Sequence, residues 1–337
     1  MSVIAAFSKY LAYEVGGAEV STRELLATEA RRGNEVILVS IPSARFLGAP
    51  MREVPLEEGW LRVDLQAVTQ LARFPFTEYL LNRARVRGWF SRLVVDELWT
   101  YGLWAPAAML GFSGRVRYFI RSESDLGIAS NYQRGFRRGF RAAYGFSEWP
   151  ARSVYLSDLR RTVKNAVVVA NSMHMANRAR ECLGVDAEVW YPSVDVALIR
   201  AKLDARQSNP RWVVFVGDSP IKGLGLVLGL AQRLPELEFR IFSRFVREEH
   251  VEGNVLWSPW QSDPWRIYED ASLVIVPSQC EEGYGRVSRE AYLLGLPLLV
   301  SKIGGLPESV DGAAECLIAE YSNADAWHDA IRRKMGA

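Results

Sequence analysis

A chain of 337 residues, 49% apolar and 24% charged, is long enough for two domains of ordinary size and has the composition of a soluble globular protein, which excludes collagen-like and disordered classes. The net charge of +2 hides an asymmetry: residues 1–200 carry 26 Lys and Arg against 20 Asp and Glu, and residues 201–337 carry 15 against 19, so the first half is expected to face an anionic partner. No apolar run reaches the ~18 residues of a membrane span, no leader is read at the N-terminus, and Cys182, Cys280 and Cys316 are too few and too scattered for a disulfide framework or a zinc site. A cytoplasmic protein is the expectation.

In chain order, Val3–Phe7 reads as a short buried strand and Gly16-Gly17-Ala18-Glu19 as the opening of a helix that runs to about Arg32. Glu35–Ser40 is the next strand, which makes this start a right-handed βαβ unit. The turn lacks the G-x-G-x-x-G of a dinucleotide fingerprint. Leu93–Trp99 and Val116–Arg121 read as further strands. The polar pairs Asp96-Glu97 and Glu123/Asp125 are then expected at strand C-terminal ends, where open α/β sheets bind ligands.

Residues 131–165 carry eight Arg or Lys against Glu148 and Asp158, with seven aromatic residues interleaved. Two readings stand: a surface for anionic lipid head groups or an anionic acceptor at the inner face of a membrane, or an ordinary basic helix pair packed through its rings. No nucleic-acid-binding module is recognisable, and no nucleic-acid partner is expected. Ala166–Ala170 is another strand, Ser172 caps the helix that follows it, and Lys202–Asn209 is the expected linker between domains 1–200 and 201–337.

The second half opens with strand Trp212–Val216, a Gly217–Gly223 loop holding Lys222, and a helix from Leu224. Strand Glu238–Phe242 leads to Arg244, and Asn254–Trp260 places Trp260 after another apolar stretch. The most informative segment follows. Buried strand Ala271–Pro277 gives way to Glu281, Glu282 and the Gly283-Tyr284-Gly285 turn, then to a helix Arg286–Leu294 stopped by Gly295 and Pro297, a second strand, and Gly304-Gly305. Glycines let backbone N–H groups approach an anion, and a helix N-terminus at Arg286–Val287 adds about half a positive charge, so a diphosphate suits this turn. Glu290 lies one turn inside the helix, suited to a ribose diol. Glu282 stands seven residues before it, suited to a sugar beyond the phosphates.

This ordered set, with the Gly304–Glu308 segment after it, resembles the donor-site signature of retaining family-4 glycosyltransferases of the GT-B fold. Gly16 and Gly17 resemble that family's first glycine turn, Tyr191–Asp195 its interdomain crossing, and Lys222 the lysine of its donor loop, although Asp218 stands where the family has arginine. The resemblance implies two doubly wound Rossmann-like α/β domains facing across a cleft. It also implies transfer of a sugar from a nucleoside-diphosphate sugar to the hydroxyl of a glycan, lipid-linked or small-molecule acceptor. Glu282 and Lys222, with Glu123 or Asp125, are the expected catalytic residues. Gly16, Gly17, Lys222, Arg244, Trp260, Gly283, Tyr284, Gly285, Arg286, Val287 and Glu290 are the expected donor-binding residues. Arg244 and Arg286 are the candidates to replace the missing arginine. The chain contains no Asp-x-Asp, so no metal and no cofactor beyond the donor is expected.

The histidines that the family often carries after its N-terminal strands are absent, since only His174, His250 and His328 occur. A nucleotide-sugar-binding partner without turnover therefore stays open. So do a phosphorylase or epimerase of the same architecture and an NAD-dependent Rossmann oxidoreductase, the last disfavoured by the missing fingerprint.

Overall fold

The computed structural model describes residues 1–337 except 14–15, 43–44, 47–48, 51–52, 72–73, 129–137, 207–208, 262 and 337. The chain divides into two compact units, Met1–Pro192 and Ser193–Ala337. The division falls inside the Tyr191–Asp195 segment, ahead of the 200/201 boundary expected from composition. Part of the expected linker is helical: helix Val196–Asp204 begins the second unit, capped by the Asp195 side chain, and buries Ile199 in that unit's core.

In the first unit the strands are β1 (Val3–Phe7), β2 (Glu35–Ser40), the short pair β3 (Arg45–Phe46) and β4 (Ala49–Pro50), β5 (Leu61–Asp64), β6 (Glu97–Thr100), β7 (Arg115–Ile120), β8 (Val167–Ala170) and β9 (Glu188–Val189). Seven of them form one parallel sheet in the order β5-β2-β1-β6-β7-β8-β9. Along β1, Ala5 and Phe7 enter one core while Ile4 and Ala6 enter another, so the sheet is covered on both faces. That explains why the strands read as unbroken apolar runs rather than alternating ones.

The second unit repeats the plan with β10 (Trp212–Val216), β11 (Glu238–Ser243), β12 (His250–Glu252), β13 (Val255–Pro259), β14 (Ala271–Val276), β15 (Leu298–Ser301) and β16 (Leu317–Ile318). Its order is β12-β13-β11-β10-β14-β15-β16, parallel throughout except for β12 against β13. Val213 and Phe215 of β10 face one core, Trp212 and Val214 the other. Strand order reverses between β1 and β6 in the first unit and between β10 and β14 in the second, and such switch points open a crevice at the carboxyl ends of the strands.

One expectation changes. Strand β6 begins only at Glu97; Leu93–Val95 precede it, and Val94 is fully exposed. Asp96 and Glu97 therefore sit at the N-terminal end of β6, away from the ligand-binding edge. There the Asp96 carboxylate accepts from the Val3 N–H at 2.8 Å, and Glu97 pairs with Arg117 at 2.6 Å. Of the basic, aromatic stretch, Arg138–Val163 is one long helix, and residues 131–137 lie outside the described residues. Tyr155 of this helix is wholly buried, and Asp158 is held by Tyr79 and Arg83, so this part serves the core, while Trp149 faces solvent. Among the described residues no helix is long and apolar enough to cross a membrane.

The last helix, Ala324–Met335, packs Trp327, Ala330 and Ile331 into the core of its own unit. Trp327 is fully buried and donates from Nε1 to the Tyr321 carbonyl at 2.9 Å. Trp327→Ala should lower the unfolding free energy in denaturant by about 3–5 kcal/mol. An unchanged midpoint would mean that this helix is not part of the core.

Candidate active site

The residues singled out in the second half gather along the carboxyl edge of its sheet because each follows a different parallel strand. Trp260 follows β13, Arg244 follows β11, Lys222 follows β10 and Glu282 follows β14. Lys222 and Glu282 flank the switch point and meet there: the lysine Nζ donates to Glu282 Oε2 at 2.6 Å, and Ser278 Oγ donates to the other carboxylate oxygen. Burial works against both charges. Even so, Glu282 holds the Lys222 ammonium above its ordinary range, and Lys222 with Ser278 holds the Glu282 carboxyl below its own. Both groups are therefore charged at neutral pH.

Two glycines make this approach possible. Gly223 has φ +91°, and a Cβ there would lie 2.2 Å from the Pro277 carbonyl oxygen, so only glycine lets the β10 loop touch the β14 loop. The Gln279 N–H completes the junction by donating to the Ile221 carbonyl at 2.8 Å. Gly304 has φ +61°, and a Cβ there would come within 2.7 Å of the Glu282 backbone, while the Gly305 N–H donates to the Glu282 carbonyl at 2.8 Å. The Gly304-Gly305 turn thus clamps Glu282 from the side opposite the lysine loop.

Beyond Gly283 and Tyr284, Gly285 caps helix Arg286–Leu294 with φ +105°. The first-turn amides of such a helix, at Arg286 and Val287, have no partner within it. Glu290 is buried one turn further on, where it accepts from Tyr268 Oη at 2.6 Å and Arg286 Nε at 2.7 Å. Arg286 is therefore turned toward Glu290. Arg244 forks onto the buried Asp218, with Nε to Oδ2 at 2.7 Å and Nη2 to Oδ1 at 3.0 Å. This pairing accounts for an acid in a loop that otherwise suits an anion: a guanidinium arriving from the neighbouring strand neutralises Asp218. Trp260 is half-buried and tied to Ser243 through its backbone.

In the first unit, Gly16 caps and Gly17 begins helix Gly17–Arg31 after β1. Asp125 and Glu123 lie at the carboxyl end of β7, as expected. Asp125 accepts from the backbone N–H groups of Gly102, Arg121 and Ser122, each at 2.9 Å, which are the bonds of a residue tying two loops together. Glu123 is buried with Arg178 at 3.7 Å. The sequence reading missed Arg121 and Tyr101, which close the ends of β7 and β6 beside these acids. The available signal was an arginine at the end of an apolar strand.

Residues 197–335 match the family described as glycosyl transferases group 1. The match covers nearly the whole of the C-terminal unit. Curated relatives named D-inositol 3-phosphate glycosyltransferase include one from Mycolicibacterium smegmatis, 31% identical over 219 residues that cover 56% of this chain and 49% of the relative. Another, from Mycobacterium bovis, is 32% identical over 181 residues, 48% of this chain and 37% of its own. The matched stretch thus spans at most about half the length of these relatives. Among solved structures, sucrose-phosphate synthase from Thermosynechococcus elongatus has a TM-score of 0.75 at 18% identity, over 100% of this chain and 90% of that one. WaaG, a glycosyltransferase involved in lipopolysaccharide biosynthesis, has 0.70 at 15% identity, over 99% and 90%. These likenesses show the GT-B fold: two Rossmann-like domains in one chain.

Two predictions follow from this geometry. Gly304→Ala should leave the fold intact at a cost of about 1–3 kcal/mol yet displace Glu282, weakening the response of the melting temperature to nucleotide sugars; an unaltered response would show that the clamp does not matter. Glu19, buried in the first turn of its helix, has its carboxyl pushed up to about 7, chiefly by burial and against the pull of Arg121, Arg23 and Tyr101. A raised carboxyl binds its proton more tightly in the folded chain, so its contribution to stability falls as pH rises from 4.5 to about 7. At ~1.4 kcal/mol per pKa unit the loss is roughly 3 kcal/mol. Glu19→Gln should gain on the wild type across that window in pH-dependent denaturation, and a pH-independent difference would contradict the assignment.

Proposed function

We propose that this protein is a retaining glycosyltransferase that moves a sugar from a nucleoside-diphosphate sugar to an acceptor hydroxyl without a metal ion. The observation that carries the reading is the Lys222–Glu282 pair, set at the switch point of a doubly wound sheet and beside a glycine-capped helix N-terminus. In the reaction the bond from the anomeric carbon to the diphosphate oxygen breaks, a bond to the acceptor oxygen forms, and the acceptor proton is released. The chemical demand is to hold the diphosphate as its charge grows.

Lys222 supplies one full positive charge to the departing diphosphate and the amides at Arg286 and Val287 supply dipoles, a preorganised field of the kind that dominates such catalysis. Glu282, ionised and fixed between Lys222 and Ser278, supports the sugar ring as it becomes cation-like. Glu290 is held by Tyr268 and Arg286 at the depth where a ribose diol would lie, with Trp260 three strands away for the base. Arg244, kept in place by Asp218, stands in for the missing loop arginine.

Two names support the donor and acceptor classes. A structural neighbour from Anabaena, HepE, was crystallised with UDP and glucose. The curated relatives' names point to a phosphorylated cyclitol as acceptor. A small, polar, phosphate-bearing acceptor is therefore the class we assign.

A panel of UDP-, GDP-, ADP- and dTDP-sugars tests the reading by sugar release or transfer in the presence of EDTA. One donor class should turn over with retained anomeric configuration. Lys222→Ala and Glu282→Ala should each lower kcat by about 10²–10³-fold. Binding with no turnover by the wild type would instead identify a non-catalytic nucleotide-sugar-binding protein, and loss of activity in EDTA would overturn metal independence.

A further inference from the structure

Arg121, immediately after β7, is 7% exposed, yet among the described residues its Nε and Nη2 have no hydrogen-bond partner. Its guanidinium lies over the rings of Phe119 at 5.0 Å and Tyr101 at 5.5 Å. The acids nearby do not complete it. Asp125 spends its carboxylate on backbone amides, and Glu19 accepts from Tyr101 Oη at 3.3 Å. A buried guanidinium with two unanswered N–H groups is costly unless something with matching acceptors fills the gap. The location also favours a ligand, because Glu19, Tyr101 and Arg121 follow β1, β6 and β7 and so converge on the carboxyl edge beside the switch point of the first sheet.

We propose that Arg121, flanked by Tyr101 and Glu19, anchors a subsite for the phosphate group of the substrate bound by the N-terminal unit. The planar fork of a guanidinium matches two phosphate oxygens at once. The Tyr101 and Phe119 faces hold the fork in one orientation before the ligand arrives, so little freedom is lost on binding. The near-neutral range of the Glu19 carboxyl adds a proton source that reduces repulsion toward an arriving dianion. Under the glycosyl-transfer reading, on which the acceptor assignment rests, this subsite selects phosphorylated over unphosphorylated acceptors.

Thermal melting of the full chain in sodium phosphate, against sodium chloride and sodium acetate at equal ionic strength, tests the proposal. The wild type should show a melting temperature that rises and saturates with phosphate, following the logarithmic dependence on ligand concentration. Part of that response should persist in Lys222→Ala, which lacks the donor-loop cation, and adding Arg121→Met or Arg121→Lys to that variant should abolish it. Arg121→Met should also melt no lower than the wild type without phosphate, since it removes an uncompensated buried charge, so loss of response cannot be put down to loss of fold. A flat wild-type curve, a response to acetate but not phosphate, or a response that survives Arg121→Met and vanishes in Lys222→Ala would each overturn the subsite. Because this readout needs no donor and no turnover, a failed transfer assay beside an Arg121-dependent phosphate response would sink the glycosyl-transfer reading and leave the anion subsite standing.

Discussion

The close approach of two loops, one ending in Lys222 and one beginning at Pro277, is the constraint on which the second unit's chemistry depends. Parallel strands β10 and β14 lie side by side, but their following helices go to opposite faces of the sheet, so a gap opens between their carboxyl ends. What crosses that gap is a half-buried lysine paired to a largely buried glutamate carboxylate. Such a pair adds little to stability, because desolvation offsets the attraction. Its value, under the proposed function, lies in keeping both charges present and fixed where the diphosphate would enter. The glycines at 223 and 304 are there because any side chain would push the loops apart.

The same economy recurs in the surrounding ion pairs. Asp218 and Arg244 exchange charge across neighbouring strands, and Arg286 and Glu290 do so across one helical turn. Each arginine presents a guanidinium near the carboxyl edge while a carboxylate fixes its direction. The first unit differs: among the described residues Arg121 has no such carboxylate fork, and burial pushes the nearby Glu19 carboxyl up to about 7. One edge is internally neutralised, the other left with an unmatched cation.

Much of this was legible in the sequence because it depends on local chemistry. Buried parallel strands announce themselves as short aliphatic runs, and glycines that permit a left-handed turn or a close contact sit at fixed offsets from the strand end. Gly223, Gly285 and Gly304 therefore stood out alongside Lys222 and Glu282. Local pattern failed where long-range pairing decides. Leu93–Val95 look like a strand, but the hydrogen-bond ladder to β1 starts only at Glu97, which moves Asp96 and Glu97 to the opposite end of the sheet. The Asp218–Arg244 fork was equally hidden, since its partners lie 26 positions apart and meet only because β10 and β11 pair. The helix at Val196–Asp204 was hidden because it is short and fully buries only Ile199, leaving apolar residues such as Leu198 exposed and no apolar stripe to read.

The central claim is that Lys222 and the amides at the start of helix Arg286–Leu294 receive the diphosphate of a nucleotide sugar. A crystal structure of the protein with the nucleoside-diphosphate sugar that stabilises it most tests this directly. The account predicts diphosphate oxygens within hydrogen-bonding distance of Lys222 Nζ and of the Arg286 and Val287 amides, with the sugar beside Glu282. A diphosphate bound elsewhere, with the Lys222–Glu282 pair undisturbed and no contact to that helix, would contradict it.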